Sequence, residues 1–277
     1  MASTEPTSVA GVNAGIPTPG VIRIYGHTPL FYWWPVWLCG FVLGVYTLYE
    51  GERVAIVPAE SRYYSARDGE PARIVLPEGK EIEDQRVRET GELYEKMASN
   101  KNLGIVFTVV LFLVILITNI PMRGLVPFLV ILAGLFIVVW FAYMGWWAII
   151  FDWILRLNIH MNAGFYFFFS TALFLVWALA FFVYDRLSFW EVKPGEITHR
   201  YVFGAGARTF QTEGMTFEKL RDDLFRHYIL GFGTGDLVMQ PLQLGNAKVQ
   251  DLTIHNVLFV GSKLKAIQKL ISIRPES

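Results

Sequence analysis

Residues 125–151 read LVPFLVILAGLFIVVWFAYMGWWAIIF, with no Asp, Glu, Lys, Arg or His. An α-helix needs about 20 apolar residues to cross roughly 30 Å of hydrocarbon. This run is long enough, so lipid rather than water is the expected solvent of the middle of the chain. Residues 30–49, 102–120 and 164–184 form three more uncharged runs of spanning length. Together they specify an α-helical transmembrane bundle of four spans, whose first partner is the lipid bilayer. Ionisable groups inside a membrane mark ion paths and proton relays. The interiors of these runs hold none, and Asp152 lies just past the end of the third.

Composition agrees. Of 277 residues, 53% are hydrophobic and 17% charged, which fits a polytopic membrane protein with modest soluble parts. The 24 basic and 24 acidic side chains cancel, so no global field draws the chain to nucleic acid. Cys39 is the one cysteine and cannot close an intrachain disulfide or build a thiolate site alone. It reads as a small packing residue.

Residues 1–29 are expected to be a disordered tail. Residues 1–20 are rich in Ala, Ser, Thr, Gly and Pro, with no basic segment ahead of an apolar one, unlike a secretory signal. Span one, 30–49, opens on Phe31, Tyr32, Trp33, Trp34 and Trp37, rings suited to the headgroup level. Gly40 and Gly44 form a G-x-x-x-G that lets two helix backbones approach closely. It can serve dimerisation or packing within the chain; three other spans favour packing. Residues 50–102 are a polar insert with short β-like runs at 54–57 and 72–76 and a charged, helix-compatible stretch at 81–98.

Residues 103–151 form a helical hairpin of spans two and three. From Trp146 the pattern changes. Trp146, Ile150, Trp153 and Leu157 share one helical face, and Asp152, Arg156 and His160 another. That stripe predicts an amphipathic helix in the membrane interface, reaching to about residue 160. His160 has no partners at ligand spacing, so it is not read as a metal ligand. Span four follows at 164–184.

Residues 185–277 turn soluble. Strands are expected at 188–192, 196–203, 208–212, 235–242 and 249–255, and helices at 216–230 and 262–273. Short strands closed by an amphipathic helix suggest a small barrel or sandwich plugged by that helix. Lys263, Lys265 and Lys269 give the last helix a basic face. Arg221, Asp222, Asp223, Arg226 and His227 read as a charged helix face rather than a catalytic pair, because no nucleophile accompanies them.

The stretch ILGFGTGDLV at 229–238, then LTIHNV at 252–257 and a terminal helix, resembles the tail of the bacterial PH-like domains. The likeness covers about the last 90 residues. It implies a small α+β fold, a bacterial inner membrane and a cytoplasmic C-terminal domain, but no activity. Basic-residue counting points the other way: eight Lys or Arg flank the membrane on the insert side, five on the side of the termini.

The expected role is a non-enzymatic membrane scaffold or adaptor, homo-oligomeric, needing no cofactor or metal. Its C-terminal domain would bind a protein or the membrane surface. A subunit of a channel or transporter complex is the alternative. An interfacial enzyme site around Asp152, Arg156 and His160 ranks last.

Overall fold

The computed structural model describes residues 20–66, 71–80, 95–100, 102–120, 124–157, 159–204, 206–221, 223–240 and 251–272. In chain order they form β1 (Ile22–Ile24), a 3₁₀ turn (Pro29–Trp33), α1 (Trp34–Glu50), β2 (Glu52–Arg53), β3 (Arg62–Tyr64), β4 (Arg73–Val75) and β5 (Lys96–Met97). Then come α2 (Asn102–Asn119), α3 (Val126–Tyr143), α4 (Trp146–Arg156) and α5 (Ala163–Phe182). The soluble part adds β6 (Ser188–Lys193), β7 (Glu196–Tyr201), β8 (Arg208–Gln211) and β9 (Thr216–Leu220). A π-helical turn (Leu224–Leu230), which packs with the first unit, β10 (Gly235–Gln240), β11 (Leu252–Val257) and α6 (Val260–Ser272) complete the chain. The chain divides into two compact units, one built on residues 28–183 and the other on three separate segments.

In the first unit four helices are long and apolar enough to cross a membrane: Pro29–Glu50, Asn102–Asn119, Val126–Tyr143 and Ala163–Arg186. Proline sits in the first turn of α1, where a missing N–H costs little. Asn162 caps α5, its side chain accepting from the Phe165 N–H at 2.7 Å. α1, α2 and α5 pack around Val36, Leu43, Phe107, Val114 and Tyr166. Phe107 from α2 meets Phe165, Tyr166 and Phe169 of α5 edge-on, the arrangement the ring quadrupoles favour. The Trp177 indole donates to the Phe31 carbonyl at 3.1 Å.

α3 behaves differently. It packs chiefly against α4. Its side chains are exposed on all faces from Phe128 to Trp140. Gly145, at φ +70°, breaks the path between α3 and α4. In the insert, β2 pairs with β5 and β3 with β4, both antiparallel.

The second unit is two antiparallel sheets and a helix. One sheet has strand order β1-β6-β7-β8, the other β11-β10-β9. Ile24, Val192 and Ile197 from the first, Leu237, Met239, Ile254 and Val257 from the second and next to it, and Val260, Ile267 and Leu270 of α6 share one core. Gly195, at φ +86°, makes the β6–β7 turn next to Pro194. α6 lays Ile267 and Leu270 into the core and turns Lys265 and Lys269 outward.

Several expectations are corrected here. Within the expected tail, Ile22–Ile24 form β1, because their apolar side chains complete the first sheet beside β6; residues 1–19 lie outside the described ones. The helix expected at 216–230 is a strand followed by a π-helical turn. Phe217 and Leu220 belong to β9, which pairs with β10, and tertiary pairing overrides the helical spacing. Asp223 caps the turn, its side chain accepting from the Arg226 N–H. The amphipathic helix α4 ends at Arg156, so His160 lies outside it. Residues 54–57 form no strand, and Lys96–Met97, at the end of the expected helix, is β5. Residues 81–94 lie outside the described residues, as do the ends of the two strands expected to meet 241–250.

Candidate functional site

The most closely tied polar group lies in the second unit. Asp236 on β10 accepts the Asn256 backbone N–H at 2.9 Å through Oδ1, and its Oδ2 stands 3.2 Å from His255 Nδ1. Asn256, at φ +55°, takes the left-handed conformation that its short amide tolerates. Its side-chain amide donates to the His27 carbonyl at 2.8 Å. The His27 N–H in turn donates to the His255 carbonyl at 3.1 Å. On its other side the His27 ring holds Asp185, Nδ1 to Oδ2, at 2.9 Å, with both side chains nearly buried. His27 precedes span one and Asp185 lies at the end of span four. These five residues thus latch residue 27, ahead of the first long apolar helix, and residue 185, at the end of the fourth, onto β10 and β11. The arrangement fixes backbone.

A second cluster crosses the first sheet. Glu191 on β6 lies between Arg23 Nε at 3.1 Å and Arg200 Nε at 3.0 Å, with its carboxylate 6% exposed and both guanidiniums largely in water. Next to it the rings of Trp190 and His199 stack with centroids 4.3 Å apart and planes 8° off parallel. Burial holds the His199 imidazole below its ordinary 6.5, and the Arg208 charge adds to the effect. Folding therefore favours neutral His199. Its contribution is intact above 6.5 and is lost as pH falls from 6.5 toward the lowered folded value. Trp190→Ala, which uncovers the ring, is expected to raise the His199 midpoint more than Arg208→Gln does. Ring-proton NMR titration checks this; an equal or reversed order would refute burial as the main cause.

The structure disperses the residues singled out in the sequence. Gly40 and Gly44 are buried in the first unit, where α1 meets α5. A methyl on Gly40 would land on Ser170 Oγ, and one on Gly44 would come 3.2 Å from the Phe167 ring. Trp146, Trp153, Asp152 and Arg156 lie on α4. Asp152 and Arg156 pair at 2.6 Å across one turn, exposed enough that the bridge adds little stability. His160 is exposed beyond the helix.

Lys263, Lys265 and Lys269 share α6, and the fold adds two cations that spacing did not show. A methyl on Gly261 would lie 3.9 Å from both Lys219 Nζ and Arg221 Nη2. The first turn of α6 carries no acid. Lys219 lies on β9 and Arg221 directly after it, and the pairing of β9 with β10 was hidden under an apparent helix.

No family model, curated protein or solved structure matches this chain. Among the described residues no three His, Cys, Asp or Glu converge as metal ligands. His27 and His255, far apart in sequence, belong to one network; the signal that could have found them is the GD at 235–236 answering the HN at 255–256.

Proposed function

We propose that the chain is a non-enzymatic integral membrane scaffold or adaptor that works as a homo-oligomer. The observation that carries this is α3. It is apolar all round, and α4 is the helix it mainly touches. Lipid can solvate such a helix, but tight packing between spans comes from small residues that let backbones approach. α3 offers Ala133 and Gly134 at mid-span, and a methyl on Gly134 would meet nothing within 4 Å. A second copy of α3 fits that opening.

The soluble unit is read as a PH-like interaction domain. Support comes from the motif likeness at 229–238 and 252–257 and from two antiparallel sheets closed by a final helix. Its basic face at Lys263, Lys265 and Lys269 is the surface offered to a protein partner or anionic membrane. The same likeness assigns that unit to the cytoplasm and the chain to a bacterial inner membrane. Labelling of a cysteine placed at Ser277 by an impermeant reagent tests the sidedness.

Gly134→Cys in a Cys39→Ser background is expected to cross-link in native membranes into a dimer, with a matching mass in mild detergent. Monomer alone in both measurements would refute the oligomer.

A second reading, a channel or transporter subunit, draws on the α1–α5 seam. There the hydroxyls of Thr47, Tyr166 and Ser170 are fully buried and have no hydrogen-bonding partner among the described residues. Ion flux through liposomes carrying the protein would favour it over the scaffold.

A further inference from the structure

We infer that residues 223–232 form an interfacial strap whose outer face sits in the headgroup–acyl boundary of the bilayer, a lipid contact separate from the four spans. The segment interrupts the soluble unit in sequence, between β9 and β10, yet its packing belongs to the unit that carries the spans. Within that unit it lies against the first turn of α1. The Trp34 indole N–H donates to the Leu230 carbonyl at 2.9 Å. The Trp34 ring stacks on Phe232 with centroids 5.3 Å apart. Trp34 is the first residue of α1 and stands in the aromatic cluster at the start of span one. Such rings anchor at the membrane–water interface, and their contacts hold the strap at that level.

The polarity of the strap is inverted relative to a turn built for water. Asp223 caps the turn, accepting the Arg226 N–H at 2.9 Å, and its carboxylate pairs with Arg226 Nε at 3.5 Å. Those side chains are 1% and 13% exposed, and His227 is buried. The exposed large side chains are Tyr228, Ile229 and Phe232, each more than half exposed. With the charges turned inward and paired, the outer face is apolar, with one phenol to reach the wet side. An aqueous protein partner would need hydrogen-bonding groups at the rim. A lipid interface needs an apolar face seated about 5–10 Å deep and an amphipathic ring at its edge. The occupant is therefore the phospholipid boundary itself. The wide π-helical winding fits this use: below its Asp223 cap it buries His227 and Leu230 on one side and leaves Tyr228 and Ile229 on the other.

The test places an environment-sensitive fluorophore at residue 229 (Ile229→Cys in Cys39→Ser, labelled with a nitrobenzoxadiazole maleimide) in the full chain, reconstituted in phosphatidylcholine–phosphatidylglycerol vesicles. The expected result is blue-shifted emission and at least about twofold stronger quenching by lipids carrying a nitroxide near the headgroup than by aqueous iodide. A matching label at Asp251, exposed beside Gln240 at the end of β10 away from Asp236, provides the aqueous reference. Iodide quenching equal to that reference overturns the inference. So does shielding from both quenchers, which would mean that protein covers the strap. If replacing Cys39 prevents folding, a fluorescent amino acid incorporated at position 229 with Cys39 intact gives the same readout, and the same two quenching patterns overturn the inference.

Discussion

Gly104→Ala is expected to destabilise the span bundle by about 2 kcal/mol or more, although it adds one methyl group. Gly104 lies in the first turns of α2, buried against the segment between α4 and α5. The new Cβ would fall on the Ile159 carbonyl oxygen and come 2.8 Å from the Ile159 Cγ2. A clash with a flexible side chain can be relieved by rotation. A clash with backbone moves the chain that leads into α5, and with it Tyr166 and Phe169, which pack on Phe107. The expected readout is a lowered melting transition in mild detergent and a loss of monodisperse protein. Gly134→Ala is the contrast. Its methyl meets open space, and alanine is the better helix former by about 1 kcal/mol. Within one chain it is expected to leave the melting of the bundle unchanged or slightly raised, whereas association through α3, which uses the small residue there, should weaken. Equal melting of the two variants would mean that α2 does not approach residue 159 as described.

Asp236→Ala carries the second large effect, in the soluble unit. The carboxylate is 6% exposed and serves both the Asn256 N–H and the His255 ring. Hydrogen bonds to a charged group contribute about 1.5–3 kcal/mol each, and the abandoned N–H bears its own desolvation cost. The expected loss is about 3 kcal/mol, read as a roughly hundredfold fall in amide protection across β10 and β11. The change should reach His27, because Asn256 holds the His27 carbonyl and the His27 N–H holds residue 255. Asp251→Ala, at an exposed site beside Gln240, is the control and is expected to change stability by less than about 0.5 kcal/mol. Unchanged protection in Asp236→Ala would show that the latch contributes no stability.

The membrane part of the fold was legible because its determinants are local. An uncharged run of spanning length leaves a helix as the way to satisfy its backbone. The change of pattern at Trp146 marked the start of α4. Its end was not legible: Asp152, Arg156 and His160 keep helical spacing, but the helix stops at Arg156. In the soluble part, Phe217, Leu220, Leu224 and Tyr228 recur at helical steps although they belong to two elements. The first two lie on a strand that β10 completes, and the last two on the π-helical turn. The site was the least legible. Asp236 and His255 are 19 residues apart and His27 and Asp185 are 158 apart. Only the sheet order brings them together.

The soluble unit begins with β1, ahead of the first span, and resumes after the last. Arg23 meets Glu191 across 168 residues. At ribosomal speeds this separation leaves β1 waiting roughly ten to thirty seconds for β6 to be made. During that interval Ile24 has no core to enter, and all four long apolar helices are made before the sheet can close. A chain halted before β6 is made would display Ile22–Ile24 as an unmatched strand edge.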